Sequence, residues 1–432
     1  MSIQLHHHAR VRLNKETVIS RRDWLKGISA GAIAAGTLSF TDLQSVHADD
    51  LKKQGKTVIL LWMQGGPSQF ETFSPKPDHA NGGETKAIST AVSGIQIAES
   101  FVNVAKQMQD IAIIRSMASK EGSHPRATFL LHTGYLPTAT VKFPSLGAIA
   151  AHEIGDKSSE LPSFVRVGGR PGTGSDGGFY GSEFDPFTVG QAGMLPTNVQ
   201  PTTPVDRYRR RLELLGQLET DYATTAPQEV ADHQKLYEKA AKMILSPQMK
   251  AFDLSQEKDS MREAYGKTPF GSGCLLARRL IEAGVTCVEV NLGNWDTHDD
   301  NFKRTKTLVE TVDQPFAQLV ADLKQRGRLD STLIVWMGEF GRTPNINAKT
   351  GRDHFPRAFN VALAGGGVKG GQVIGETDKG GTEVTKRPIA VNDLFQTFCR
   401  SLAIKPEKET MSSIGRPIKI VDGGKPVSEL FG

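Results

Sequence analysis

Six apolar runs punctuate the chain: Lys56–Gly66 (KTVILLWMQGG), Ile111–Met117 (IAIIRSM), Pro162–Gly169, Gly284–Gly293 (GVTCVEVNLG), Ser331–Gly341 (STLIVWMGEFG) and Phe359–Val368. Each is short, continuous and rich in β-branched residues. That pattern predicts strands buried on both faces rather than strands with one wet side. Between them the apolar period changes. Leu308, Val312, Phe316, Leu319, Val320 and Leu323 recur at helical spacing within Thr305–Gly327, and Gly327 follows the last Arg as a C-terminal stop. Helices also fit Ala127–Gly134, Gly273–Gly284 and Ala390–Ala403. Strands alternating with helices predict an α/β fold, a mostly parallel sheet between two helical layers.

Residues 204–265 break the alternation. They are charged and rich in helix formers, as in VDRYRRRLELLGQLETDY, and predict a helical insertion in which RYRRR forms a solvated face. The Gly-rich stretch Gly168–Gly181 lacks P-loop spacing and is not followed by Gly-Lys-Ser/Thr. No G-x-S-x-G elbow and no dinucleotide fingerprint occur, which disfavours an α/β-hydrolase and an oxidoreductase.

The first 48 residues differ from the rest. SRRDWLK precedes a mildly apolar Gly/Ala-rich run, Gly27–Phe40, and small residues Val46 and Ala48 offer a cleavage site after Ala48. Two adjacent Arg ahead of such a run resemble a twin-arginine signal. This predicts removal of residues 1–48, export through the twin-arginine machinery to the periplasm or beyond, and one domain over residues 49–432. The three consecutive His near the start fall in the removed part and receive no role. No run is long enough to span a bilayer, which takes about 20 apolar residues. A formal charge of +5 over 432 residues is too balanced to argue for nucleic acid. Cys274, Cys287 and Cys399 have no metal-like spacing, and the apolar surroundings of Cys274 and Cys287 favour buried free thiols.

Ligands of open α/β sheets gather at the carboxyl ends of the strands, so polar residues just after each apolar run matter most. Gln64, Ser68 and Glu71 follow the first run. Ser123, His124 and Arg126 follow the second. Asn294, Asp296, His298 and Asp300 follow GVTCVEVNLG, Glu339 and Arg342 close STLIVWMGEFG, and Asp353 and His354 lie in GRDHF. Asp296 and His298 point to one side of an extended stretch, and carboxylate with imidazole suits zinc, whereas all-oxygen groups suit calcium. Asp300 reads as a helix cap. His132, within FLLHTG, reads as a core residue. Of the neighbours Asp353 and His354, one reads as a ligand and the other as its orienting partner or an Arg partner. Ser123, beside His124, is the first candidate nucleophile and Ser68 the second. Arg126 or Arg342 could fork onto an anion's oxygens.

The segments LWMQGGPSQFETFSPKP, IRSM, TGY, FGSGCLLARRLIEAGVTCVEV, WDTH, GEFGRTP and GRDHF together resemble the domain-of-unknown-function 1501 family, from about Lys56 to Phe431. The resemblance extends to the alkaline phosphatase and sulfatase superfamily, and it implies an alkaline phosphatase-like three-layer α/β/α sandwich. SHPRATFLLHTGYLP is similar to the sulfatase nucleophile segment, which implies a nucleophile at Ser123 or His124. The superfamily's metal ligands would fall on Asp296, His298, Glu339 and His354, with Asp353 beside them and Gln64 where an Asp is usual. Phe340 stands where a His would be. With two groups replaced, the resemblance implies one divalent metal, zinc or calcium, and a small-molecule or polysaccharide ester as substrate. The rival expectation is a binding protein that keeps the fold without the chemistry.

Overall fold

The computed structural model describes residues 12–13, 17–18 and 55–432, apart from 170–173, 194–195, 197–198, 200–202 and 223–226. A separate unit, residues 1–54, contributes one short strand pair, Arg12–Leu13 with Thr17–Val18. The expected export signal and cleavage site lie outside the described residues.

The main unit is built on an eight-stranded sheet. Its strands are β1 (Thr57–Met63), β2 (Ile111–Met117), β3 (Phe164–Val167), β4 (Phe187–Val189), β5 (Cys287–Leu292), β6 (Thr332–Met337), β7 (Phe359–Gly365) and β8 (Gln372–Ile374). Their spatial order is β8-β2-β7-β6-β1-β5-β3-β4. Only β7 runs against its neighbours; every other adjacent pair is parallel. The six strands expected from apolar runs are all present. The two additional strands, β4 and β8, sit at the edges.

All seven residues of β1 are buried. Its side chains alternate between two cores, as the pleat requires. Ile59, Leu61 and Met63 face one core with Phe270, Leu275 and Phe316. Val58, Leu60 and Trp62 face the other with Leu131, Ile149 and Phe398. Each large side chain buried this way contributes about 1.5–3 kcal/mol. The helices divide accordingly. On the first face lie α6 (Pro269–Glu282) and α7 (Asn301–Gln325). On the second lie α1 (His124–Thr133), α2 (Leu146–Ile154) and α8 (Val391–Ser401). The fold is thus a three-layer α/β/α sandwich.

The expected insertion forms α3 (Val205–Tyr222), α4 (Pro227–Leu245), two 3-10 turns and α5 (Asp259–Ala264). Arg278 of α6 joins it to the sandwich. This buried guanidinium meets Glu257 at 2.9 Å, Glu282 at 2.7 Å and Asp322 at 3.1 Å. Helix α7 ends as the sequence predicts. Gly327 takes φ +66°, its amide donates to Lys324 O, and the amide of Arg328 donates to Leu323 O. No described helix is long and apolar enough to cross a membrane.

Candidate metal centre

The carboxyl ends of β1, β2, β5 and β6 open on one rim, and the antiparallel β7 begins there. Backbone bonds weld this rim together. The amide of Gln64 donates to Leu292 O at 2.9 Å, and that of Trp295 to Gln64 O at 3.2 Å. A two-residue strand pair, Gly341–Arg342 with His354–Phe355, brings the GRDHF loop back over the end of β6.

At this rim His124, Asp296 and His354 each present a ligand atom, all within 4.8 Å of one another. His298 joins at the edge, with Nε2 at 3.0 Å from both Asp296 Oδ1 and His354 Nε2. Each imidazole is anchored through Nδ1. His124 Nδ1 lies 2.6 Å from Glu339 Oε1, His298 Nδ1 lies 2.8 Å from Asp353 Oδ1, and His354 Nδ1 lies 2.8 Å from the carbonyl of Gly122. A carboxylate or carbonyl oxygen only accepts, so every Nδ1 carries the proton and donates it. In the neutral rings every Nε2 is therefore an acceptor.

These acceptors converge on another acceptor. His298 Nε2 and His354 Nε2 face each other at 3.0 Å, and Asp296 Oδ1 lies 3.3 Å from the latter. His124 Nε2 is buried without a hydrogen-bond partner, 3.3 Å from Asp296 Oδ2. Converging lone pairs repel unless a cation or proton stands among them. Three imidazoles and a carboxylate are the donor set zinc prefers, and the anchored Nδ1–H groups are the usual way such rings are held for a metal. The residues fit the expected ion.

The charges reinforce one another. Burial works against ionised Asp296, but the Arg342 guanidinium and the His124 and His298 rings outweigh it and hold its carboxyl at about 2. Burial lowers His124, yet Glu339 and Asp296 raise it overall. His354 is lowered, first by burial and then by Arg342 and His124, against the Gly122 bond. Phe340 forms an apolar wall, its ring 4.8 Å from that of His124 and 4.6 Å from that of His354.

The expected site residues therefore divide by role. Asp296, His298 and His354 meet, and His124, expected as a catalytic group, stands among them. Glu339 is 1% exposed, and both of its oxygens accept from Gly65 N while one holds His124. Its oxygens are committed to the Gly65 amide and the His124 ring, which places it to orient that ring. Asp353 orients His298. Gln64 is exposed and its side chain makes no hydrogen bond among the described residues. Ser123 is exposed at the N-cap of α1, and its hydroxyl makes no capping bond. Arg126, one turn on, is exposed and forks onto Glu121 at 2.8 and 2.9 Å. Ser68 is wholly buried, which keeps it from a substrate in solvent. Arg342 is also wholly buried, with its donors turned inward to protein oxygens. Asp300 takes the N-cap position of α7 with φ +45° but makes no side-chain cap bond. His132 is buried in the core, with Nδ1 2.8 Å from Thr128 O and its ring 4.0 Å from that of Trp62.

The chain resembles several solved structures. They include a sulfatase from Pseudoalteromonas sp. (16% identity, TM-score 0.35, covering 84% of this chain and 71% of that one). A phosphonate monoester hydrolase from Silicibacter pomeroyi matches at 15% identity and TM-score 0.35, over 87% and 76%. A protein in the alkaline phosphatase superfamily from Vibrio parahaemolyticus matches at 12% identity and TM-score 0.33, over 87% and 70%. Among curated proteins the sequence finds no match. A family model described as "Protein of unknown function (DUF1501)" matches residues 55–431, and the chain belongs to that family.

Proposed function

We propose that this chain is an exported hydrolase of phosphate or sulfate esters that works with one divalent ion, zinc by the chemistry of its donors. One observation carries the reading: the Nε2 atoms of His124, His298 and His354 converge on Asp296 while every Nδ1 is tied elsewhere. When bound, such an ion polarises an ester oxygen and lowers the pKa of a water or hydroxyl beside it. The chain's own groups supply the rest. Ser123 precedes His124 and offers an exposed hydroxyl at the positive end of α1, where an anionic ester is favoured. Arg126, exposed one turn on and forked onto Glu121, is the nearby cation that would turn to the ester's free oxygens on binding. Glu339 and Asp353 keep the rings in their productive tautomers. The substrate is a small-molecule or polysaccharide ester met after passage through the twin-arginine machinery.

The test is metal analysis of natively purified protein, together with hydrolysis of aryl phosphate and aryl sulfate esters. One divalent ion per chain, with turnover abolished by chelator and by Ser123→Ala, is expected. Metal-free protein, or turnover indifferent to chelator, would overturn the reading. A second reading, a non-catalytic ester-binding protein, is favoured by the commitment of Arg126 to Glu121. Stoichiometric metal without turnover of either ester class would select it.

A further inference from the structure

Arg342 is wholly buried, yet it is ringed by oxygen. Its Nε donates to Gly66 O at 2.9 Å and its Nη1 to Arg352 O at 3.1 Å. Its Nη2 donates to Trp295 O at 3.3 Å, to Gly65 O and to Asp296 Oδ1. Four carbonyls and one carboxylate around a positive centre make a cage of the kind that holds a hard cation. The cage oxygens come from the loop after β1, the loop after β5 and the loop that carries His354, while Arg342 itself follows β6. Those loops supply Asp296, His298 and His354.

We infer that Arg342 is the resident cation of this cage: a positioning residue that gathers the ligand-bearing loops, fixes the Asp296 carboxylate and leaves the centre room for a single divalent ion. The inference rests on the metal-dependent reading above. Two-metal sites hold their ions about 3.5–4 Å apart, so a second ion would need its own donors within that distance of the first. Here the guanidinium already binds Asp296 Oδ1, the oxygen on which His298 and His354 also converge. The apolar Phe340 ring lies against His124 and His354, and Glu339 is committed to His124 and Gly65. Among the described residues no further group of three His, Cys, Asp or Glu converges beside the first. Without the guanidinium, five oxygens would face one another across an empty cage, and the loops holding the ligands would part.

The experiment reads zinc binding rather than turnover, by competition with a chromophoric chelator and by native mass spectrometry. Wild type should bind one equivalent. Arg342→Ala should bind zinc at least about 10-fold more weakly, the usual scale for loss of a supporting partner. Millimolar guanidinium should restore the affinity, and urea, its neutral isostere, should not. Arg342→Lys, which keeps a charge but not the fork, should fall between wild type and Arg342→Ala. Two equivalents in wild type would overturn the inference even if no variant folds. So would an Arg342→Ala protein with wild-type affinity, or rescue by urea as well as by guanidinium. Wild-type protein with no affinity for zinc would overturn the metal-dependent reading and this inference with it. One equivalent unaffected by Arg342→Ala would overturn this inference alone.

Discussion

Glu339 Oε1 lies 2.6 Å from His124 Nδ1, and the same buried carboxylate accepts a hydrogen bond from the amide of Gly65. One side chain thus links the ends of three strands and sets the tautomer of a ring. Glu339→Leu should lower zinc affinity about 10–100-fold. It should also strand the buried Gly65 amide, at a cost of about 1–3 kcal/mol. Glu339→Gln, which keeps an acceptor, should lose less of both. Chelator competition and urea denaturation of the apo-protein measure the two effects separately.

Gly351 admits no side chain. A Cβ there would overlap the backbone carbonyl of His298. Gly351→Ala should therefore push the Arg352–His354 segment away from His298, destabilise the protein by about 1–3 kcal/mol and weaken zinc binding. Gly94→Ala meets no neighbour within 4 Å and should leave zinc binding unchanged. Its φ of +82° still strains a side chain, so the two substitutions differ most clearly in metal affinity.

A buried charge network under α1 should make stability depend on acid. Glu289 and Arg166 are each 2% exposed and meet at 3.1 Å, and Asn291 donates to the same carboxylate at 3.0 Å. Burial opposes ionisation of Glu289, but Arg166, His132 and Asn291 outweigh it and bring the carboxyl from 4.5 to about 2. Its folded value lies below its unfolded one, so the stabilisation is complete above about pH 4.5 and is lost as pH falls toward 2. The shift corresponds to about 3 kcal/mol. Denaturation midpoints measured between pH 6 and pH 3 should fall with acid. Glu289→Gln should flatten that fall and lower stability at pH 6, because it leaves Arg166 buried without its counter-charge.

The three thiols should be silent in the native protein. Cys274, Cys287 and Cys399 are free and buried. Burial, aided by Glu153 and Glu407, pushes the Cys399 thiol up to about 12. A chromogenic disulfide reagent should find no reactive thiol before denaturation and three afterwards. Fast reaction of the folded protein would contradict the packing.

What the sequence made legible follows from burial. Strands β1, β2, β3, β5, β6 and β7 announced themselves because each is covered on both faces and reads as unbroken apolar residues. Strands β4 and β8 are three residues long and half-buried at the edges, so Phe187–Val189 and Gln372–Ile374 carry no comparable signal. Helix α2 opens with LGAIAA, small and apolar, and its polar residues His152 and Glu153 come only in the last turn, so it lacks the polar stripe that marks a helix in sequence. The strand-end rule led to Asp296, His298 and His354, because the rim is a property of topology. It could not divide the labour among them. Which nitrogen of each ring faces the centre depends on what ties down the other, and contacts such as Glu339 Oε1 to His124 Nδ1 and Gly122 O to His354 Nδ1 leave no trace in residue type. Gln64 shows the limit most clearly: it holds a rim position, but its backbone rather than its amide does the joining.

His124 and Glu339 stand 215 positions apart along the chain, and Asp296 and His354 stand 58 apart. Contacts of such separation close late, after the loop entropy between them has been overcome. An ion held by these residues would therefore not nucleate the protein in the manner of a zinc finger. It would enter a socket that the finished sheet has already shaped, in whichever compartment the polypeptide completes its folding.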